Sequence, residues 1–244
     1  MPKNLLKSLI SIWVISVNKL FSLDDRLSAC AGFVRNGAKI ADIGTDHAYL
    51  PVWLAKQGKI MSAVAADIRP MPLERGEENI KKYGCENIVS TRLSDGLNEI
   101  SPDDCDDIII AGMGGELIVS ILSKASWVKD AGKRLILQPM TRAHILREYL
   151  SQNGFEIIAE KPCSHGGKNY TVILSEYTGR TISVSPSFYY IGKLMPSDKL
   201  ARAYTKQILK KLTYKAEGKK HSGEDSTELD AIINEIKTQF GGEI

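Results

Sequence analysis

Apolar positions in this chain change period several times along its length. Between residues 39 and 176, short and nearly unbroken apolar runs alternate with stretches whose apolar positions recur every three or four residues. The first kind reads as buried strands and the second as amphipathic helices. The pattern predicts strands at 39–43, 61–67, 87–93, 107–111 and 134–138, with helices between them at 49–57, 72–83, 116–124 and 141–152. Two more runs, 155–160 and 170–176, joined by the polar segment 161–169, predict an antiparallel pair. Strand–helix alternation implies crossover connections, so the expected fold class is α/β, a seven-stranded and mostly parallel doubly wound sheet. Ahead of it, Leu20, Leu23, Leu27, Ala31 and Val34 predict a helix packed on the sheet edge.

Beyond residue 179 the periodicity is helical only. Leu200, Ala201, Tyr204, Ile208, Leu209 and Leu212 form one apolar stripe; Leu229, Ile232, Ile233, Ile236 and Phe240 form another. Between them, 215–227 is polar and contains Gly218 and Gly223, with Asp225 and Glu228 spaced as a capping box. The expected organisation is an N-terminal extension at 1–19, an α/β domain at 20–179 and a helical hairpin or coiled coil at 180–244.

Charge sharpens this division. The chain carries a net +3, but residues 180–221 hold ten basic side chains against two acidic ones. Aromatic residues Phe188, Tyr189, Tyr190, Tyr204 and Tyr214 are interleaved with them. Such a mixture suits a phosphate backbone with unstacked bases, although a solvated helix face also looks like this. The four cysteines, Cys30, Cys85, Cys105 and Cys163, show neither CxxC pairing nor zinc-ligand spacing, so they are read as reduced and no metal is expected. Lys3 and Lys7 before an apolar run at 9–17, with the 27–30 segment after it, imitate a lipoprotein signal. Asn18, Lys19, Asp24, Asp25 and Arg26 separate the run from the cleavage box, which favours a cytoplasmic protein. No run reaches the ~20 apolar residues of a membrane span.

Candidate chemistry collects at the predicted strand ends. The first strand closes on Asp42-Ile43-Gly44-Thr45-Asp46-His47, at the edge where open α/β sheets bind ligands. A pyrophosphate-binding loop would read GxGxxG there. Here Asp46 and Ala48 replace the later glycines of a GxGxG loop, and a carboxylate repels phosphate. It suits instead a ligand with an ammonium and a sulfonium, such as S-adenosylmethionine; alternatively Asp46 only caps the next helix. Asp67 ends the second strand at the separation from Gly44 expected of a ribose-binding acid, and Asp95-Gly96 follow the third. The fourth ends in Ala111-Gly112-Met113-Gly114-Gly115, read as a glycine-rich turn, and the fifth brings Gln138 to the same edge. His144, His165 and His221 have no evident partner.

Together, the segments DIGTDHAYLP at 42–51, AGMGGELI at 111–118 and LILQPM at 135–140 resemble the bacterial tRNA (adenine-N1)-methyltransferase family that modifies adenine 22. The resemblance implies a Rossmann-like class I methyltransferase sheet and S-adenosylmethionine held by Asp42, Gly44, Asp46, Asp67, Ile68, Asp95, Gly96, Gly112, Met113 and Gly114. It implies tRNA as substrate, bound partly by the helical appendage. Along the predicted basic helix Arg202, Lys206 and Lys210 are the candidate contacts, and beside the base Asp46 and His47 are the candidate catalytic residues, with His47 alternatively a packing or capping histidine. The Asn/Asp-Pro-Pro-aromatic motif of many amino-methyltransferases is absent. Rival readings are a methyltransferase for another RNA or a small molecule, which the core motifs would serve equally, and a non-catalytic RNA-binding protein.

Overall fold

The computed structural model describes residues 20–241. The expected extension at 1–19, including Lys3, Lys7 and the run at 9–17, lies outside the described residues. Seven strands form one sheet: β1 (Ala38–Ile43), β2 (Ile60–Asp67), β3 (Val89–Leu93), β4 (Asp107–Gly114), β5 (Arg134–Thr141), β6 (Phe155–His165) and β7 (Lys168–Tyr177). Their order is β3-β2-β1-β4-β5-β7-β6, with β7 antiparallel to both β5 and β6 and every other pair parallel. The order reverses between β1 and β4, which opens a crevice at their carboxyl ends.

The unbroken apolar runs are explained by burial on both faces. Ile109 faces one core together with Ile40 and Ile136, whereas Ile108 and Ile110 face the other with Ile43, Leu135 and Leu137. Helices α1 (Asp25–Phe33), α2 (Tyr49–Lys56) and α3 (Pro70–Lys82) lie on the first side. The opposite side is covered by α4 (Gly115–Lys124) and α5 (Ala143–Gln152).

Several expectations are corrected. Helix α1 lies across the face formed by β4, β5, β7 and β6 rather than on the sheet edge. Residues 161–169 are not a loop: β6 and β7 continue through them as a ribbon that turns at Gly166-Gly167. Their polar positions belong to the part of the hairpin that leaves the core. The glycines after Ala111 form no separate turn, because β4 runs to Gly114 with an irregularity at Gly112 and passes straight into α4.

The C-terminal part contains α6 (Pro186–Ile191), which the pattern missed, followed by α7 (Lys199–His221) and α8 (Thr227–Phe240). The last two pair through Leu209, Leu212, Ile232, Ile233, Ile236 and Phe240. Helix α7 continues through Gly218, and the expected capping box does not form. Asp225 instead accepts from the Thr227 amide at 2.9 Å, one residue ahead of the uncapped N-terminus at Ser226.

A buried ion pair ties this part to the sheet. Arg147 of α5 and Glu160 of β6 meet at 2.7 Å with both side chains fully excluded from solvent. Arg147 also donates to the carbonyls of Tyr189 and Tyr190 at 2.9 and 3.0 Å, and Glu160 accepts from Thr171 at 2.9 Å and from the Lys193 amide at 3.3 Å. Gly192, at φ 57°, lies so close that a Cβ would overlap both members of the pair. Removing one partner strands a buried charge. Arg147→Met is expected to lower stability by about 3–5 kcal/mol in urea unfolding, and adding Glu160→Leu to recover most of that loss.

Candidate active site

At the end of β1 the chain turns through Gly44, at φ 74°, and then holds His47 and Ala48 in the left-handed region at φ 58° and 52°. Two consecutive non-glycine residues in that region carry a cost of about 1–2 kcal/mol each. Asn79 of α3 donates to the His47 carbonyl at 2.9 Å, and Ala48 packs against Gly76, where a Cβ would stand 3.4 Å from the Ala48 methyl. These contacts hold the strained loop open. As a result α2 begins with no side chain capping its amides. Asp46 is not the cap: its side chain is 84% exposed.

His47 sits at the junction of three groups. Its Nε2 lies 3.3 Å from Asp46 Oδ1 and 3.2 Å from Arg75 Nη1, and its Nδ1 lies 3.4 Å from the Tyr49 hydroxyl. Arg75 was not read from the sequence, where it is one more charge on an amphipathic helix.

Two acids line the crevice floor. Asp42 is buried and accepts from the Thr45 hydroxyl at 2.6 Å. Burial pushes its carboxyl up to about 6; the Thr45 hydrogen bond opposes this and the Asp67 charge adds to it. Asp67, also buried, takes the Arg69 amide at 2.8 Å. Next to it Ile68 is an isoleucine left 59% exposed at a strand end, an apolar face with no protein cover. Asp95 is exposed on the loop after β3, with Gly96 at φ 61° beside it.

Opposite these, β4 closes the crevice. A Cβ on Gly44 would overlap the Met113 methyl, so that side chain lies across the first turn. Gly112, at φ 81°, donates its amide to Gln138 Oε1 at 3.0 Å. The buried Gln138 amide also meets Arg26 Nη1 at 3.4 Å. Arg26 comes from α1; its Nη2 pairs with Asp24 at 2.8 Å and its Nε is buried without a partner. In the sequence Arg26 reads only as one of the charges separating the apolar run at 9–17 from the cleavage box. Gly114 precedes Gly115, where a Cβ would strike the Arg142 carbonyl.

The expected cofactor residues thus gather at one edge, on β1, β2, β3 and β4. The expected tRNA contacts do not join them. Arg202 donates to the Phe240 carbonyl at 3.2 Å, at the end of α8. Lys206 and Lys210 are exposed and follow it at helical spacing on α7. Among the described residues, no three His, Cys, Asp or Glu side chains are placed to hold a metal, and all four cysteines are free and buried.

Comparison with known proteins follows this geometry. Residues 23–173 match a family described as a methyltransferase domain. The chain is 36% identical over 191 residues to the tRNA (adenine(22)-N(1))-methyltransferase of Bacillus subtilis (strain 168), covering 78% of this chain and 80% of that one. The crystal structure of the B. subtilis m1A22 tRNA methyltransferase TrmK superposes with a TM-score of 0.75 at 30% identity, over 90% of this chain and 96% of that one. M. capricolum TrmK, solved with S-adenosylhomocysteine, gives 0.73 at 25% identity over 91% and 98%.

Burial makes the Asp42 charge costly, so its removal separates stability from binding. A buried carboxyl raised to about 6 weakens the fold as pH climbs from about 4, and the penalty is complete above about 6. Asp42→Asn is expected to stabilise the protein at pH 8 by up to about 3 kcal/mol, with the gain gone at pH 4. Urea midpoints at the two pH values measure this.

Proposed function

The chain belongs to the tRNA (adenine(22)-N(1))-methyltransferase family, and from that membership we infer that it transfers the methyl group of S-adenosylmethionine to N1 of adenine 22 in tRNA. The observation that carries the reading to this chain's own residues is the crevice at the β1/β4 reversal. There, buried Asp42 and Asp67 stand at the strand ends beside the Gly44 turn, where a nucleotide enzyme would present a phosphate loop.

The residues fit the cofactor. Asp67 would take the ribose hydroxyls, Ile68 would lie on the adenine face and Asp95 would accept from its amino group. Asp42 and Asp46 would face the ammonium, and the uncapped amides of α2 would meet the carboxylate. Gly44, Gly96, Gly112 and Gly114 would let the backbone approach closely, with Met113 closing over the first turn. When bound, S-adenosylmethionine supplies a methyl on a sulfonium, electrophilic enough for a neutral nitrogen.

The adenine N1 lone pair lies in the ring plane and is free at neutral pH, so this chain need not remove a proton before attack. Its task is to hold the base in line. Positive charge grows on the base during transfer, and Asp46 with the His47 imidazole would stabilise it there. Because N1 lies on the pairing edge, the nucleotide must enter unpaired. The basic helices would hold the surrounding phosphates. With tRNA as substrate the work is cytoplasmic; among the described residues no helix is long and apolar enough to cross a membrane. The unit at 20–179 would do the chemistry and 180–244 the holding.

Incubation with labelled S-adenosylmethionine and bulk tRNA, followed by nucleoside analysis, should return the label as 1-methyladenosine. A tRNA carrying guanine at position 22 should take none; label in another nucleoside, or in both tRNAs, contradicts the reading. Asp67→Ala should weaken cofactor affinity at least tenfold by calorimetry, the worth of one charge-assisted hydrogen bond.

A further inference from the structure

A cavity of about 290 Å³ lies between the end of β5, β7 near the turn of the β6–β7 hairpin, α6 and α7. We propose that it is a pocket for a nucleotide adjacent to the methylated adenine, holding that nucleotide's base against an aromatic wall and its phosphate at a basic mouth. The proposal rests on the tRNA reading above and deepens it.

The wall is a stacked pair: the rings of His144 and Tyr190 are 5.0 Å apart and 11° from parallel. Burial, followed by the nearby Lys215, holds the His144 imidazole below its usual range, so the pair is an uncharged stacking platform at neutral pH. Tyr204 adds a third ring. At the mouth stand Lys211 and Lys215, both exposed. Helical spacing puts them with Tyr204 on one face of α7, opposite Lys206 and Lys210. The far side is fixed by two hydrogen bonds between the Gln207 amide and the Asn169 backbone, at 3.2 and 3.1 Å. Aromatic rings beside lysines are the elements that hold single-stranded nucleic acid.

Position decides which nucleotide it takes. Every lining residue comes from β5 onward, and none from β1, β2 or β4, which frame the cofactor crevice. Strands lie about 4.8 Å apart, so the pocket is roughly 10 Å from the β1/β4 reversal. A methyl acceptor must stand about 3–3.5 Å from the donor carbon, which excludes the target base. The next nucleotide along the strand can reach it. A flipped adenine loses its stacking on both neighbours, and an aromatic wall beside the crevice replaces one such contact.

The test is a thermodynamic cycle on the full chain saturated with S-adenosylhomocysteine. Affinities are measured for tRNA and for tRNAs made abasic at one or the other neighbour of adenine 22, using the wild type and Tyr190→Leu. The proposal expects one abasic tRNA to bind the wild type at least fivefold more weakly, Tyr190→Leu to lose the same factor on intact tRNA, and the combination to lose no more than either alone. Multiplying losses, or no loss with either abasic tRNA, overturns it. The exposed double change Lys211→Ala/Lys215→Ala keeps the test independent of folding and should flatten the salt dependence of tRNA binding by about one unit or more while leaving S-adenosylhomocysteine affinity unchanged. An unchanged slope overturns the basic mouth. Wild-type methylation of the same tRNAs, followed in parallel samples with S-adenosylmethionine in place of S-adenosylhomocysteine, separates failure of this pocket from failure of the tRNA reading.

Discussion

The placement of the C-terminal helices beside the sheet depends on one ion pair that water does not reach. Arg147 and Glu160 lie thirteen residues apart in sequence, on a helix and a strand of the α/β unit, yet they also hydrogen-bond to the chain just beyond it, at Tyr189, Tyr190 and Lys193. A buried pair of this kind adds little net stability over well-packed apolar residues. What it adds is direction, because a guanidinium fork accepts few geometries, and a misplaced C-terminal part would leave two charges without partners. The same side chains therefore fix where α6 and α7 stand relative to the end of β5.

From that placement the molecule divides its work by face. The sheet reversal presents carboxylates and glycines to a cationic, phosphate-free ligand. Helix α7 shows one side to α8, one side with Lys211 and Lys215 to the cavity, and a third with Lys206 and Lys210 to solvent. In the proposed arrangement, a tRNA whose adenine enters the crevice would run over the second of these. The strained loop at His47 and Ala48 lies on the opposite wall, held by α3, so the two sides of the reaction space are positioned by different parts of the fold.

Most of the sheet was legible because its strands are buried on both faces, and a run such as Ile108-Ile109-Ile110 has few other readings. The strand-end acids were legible for a related reason: a polar residue that ends an apolar run marks the edge. Features that depend on distant partners left no such trace. Arg147 reads as one polar position in an amphipathic helix, and Arg26 as a stray charge, since the carbonyls and amides they meet are far away in sequence. The six-residue α6 is too short to show a period, and the outer half of the β6–β7 ribbon is polar because it has left the core. Arg202, Lys206 and Lys210 are legible only as charge at helical spacing, which does not say what each side chain meets.

A direct measurement addresses the rigid placement on which this account turns. Spin labels at Glu78 of α3 and Lys210 of α7, both exposed, report the distance across the crevice by pulsed electron resonance. The account predicts a single narrow distance distribution in the otherwise native chain, broadened when Glu160→Gln removes the charge opposite Arg147. A distribution already broad with the pair intact, or one unchanged by its loss, would contradict the claim that this pair sets the helices over the site.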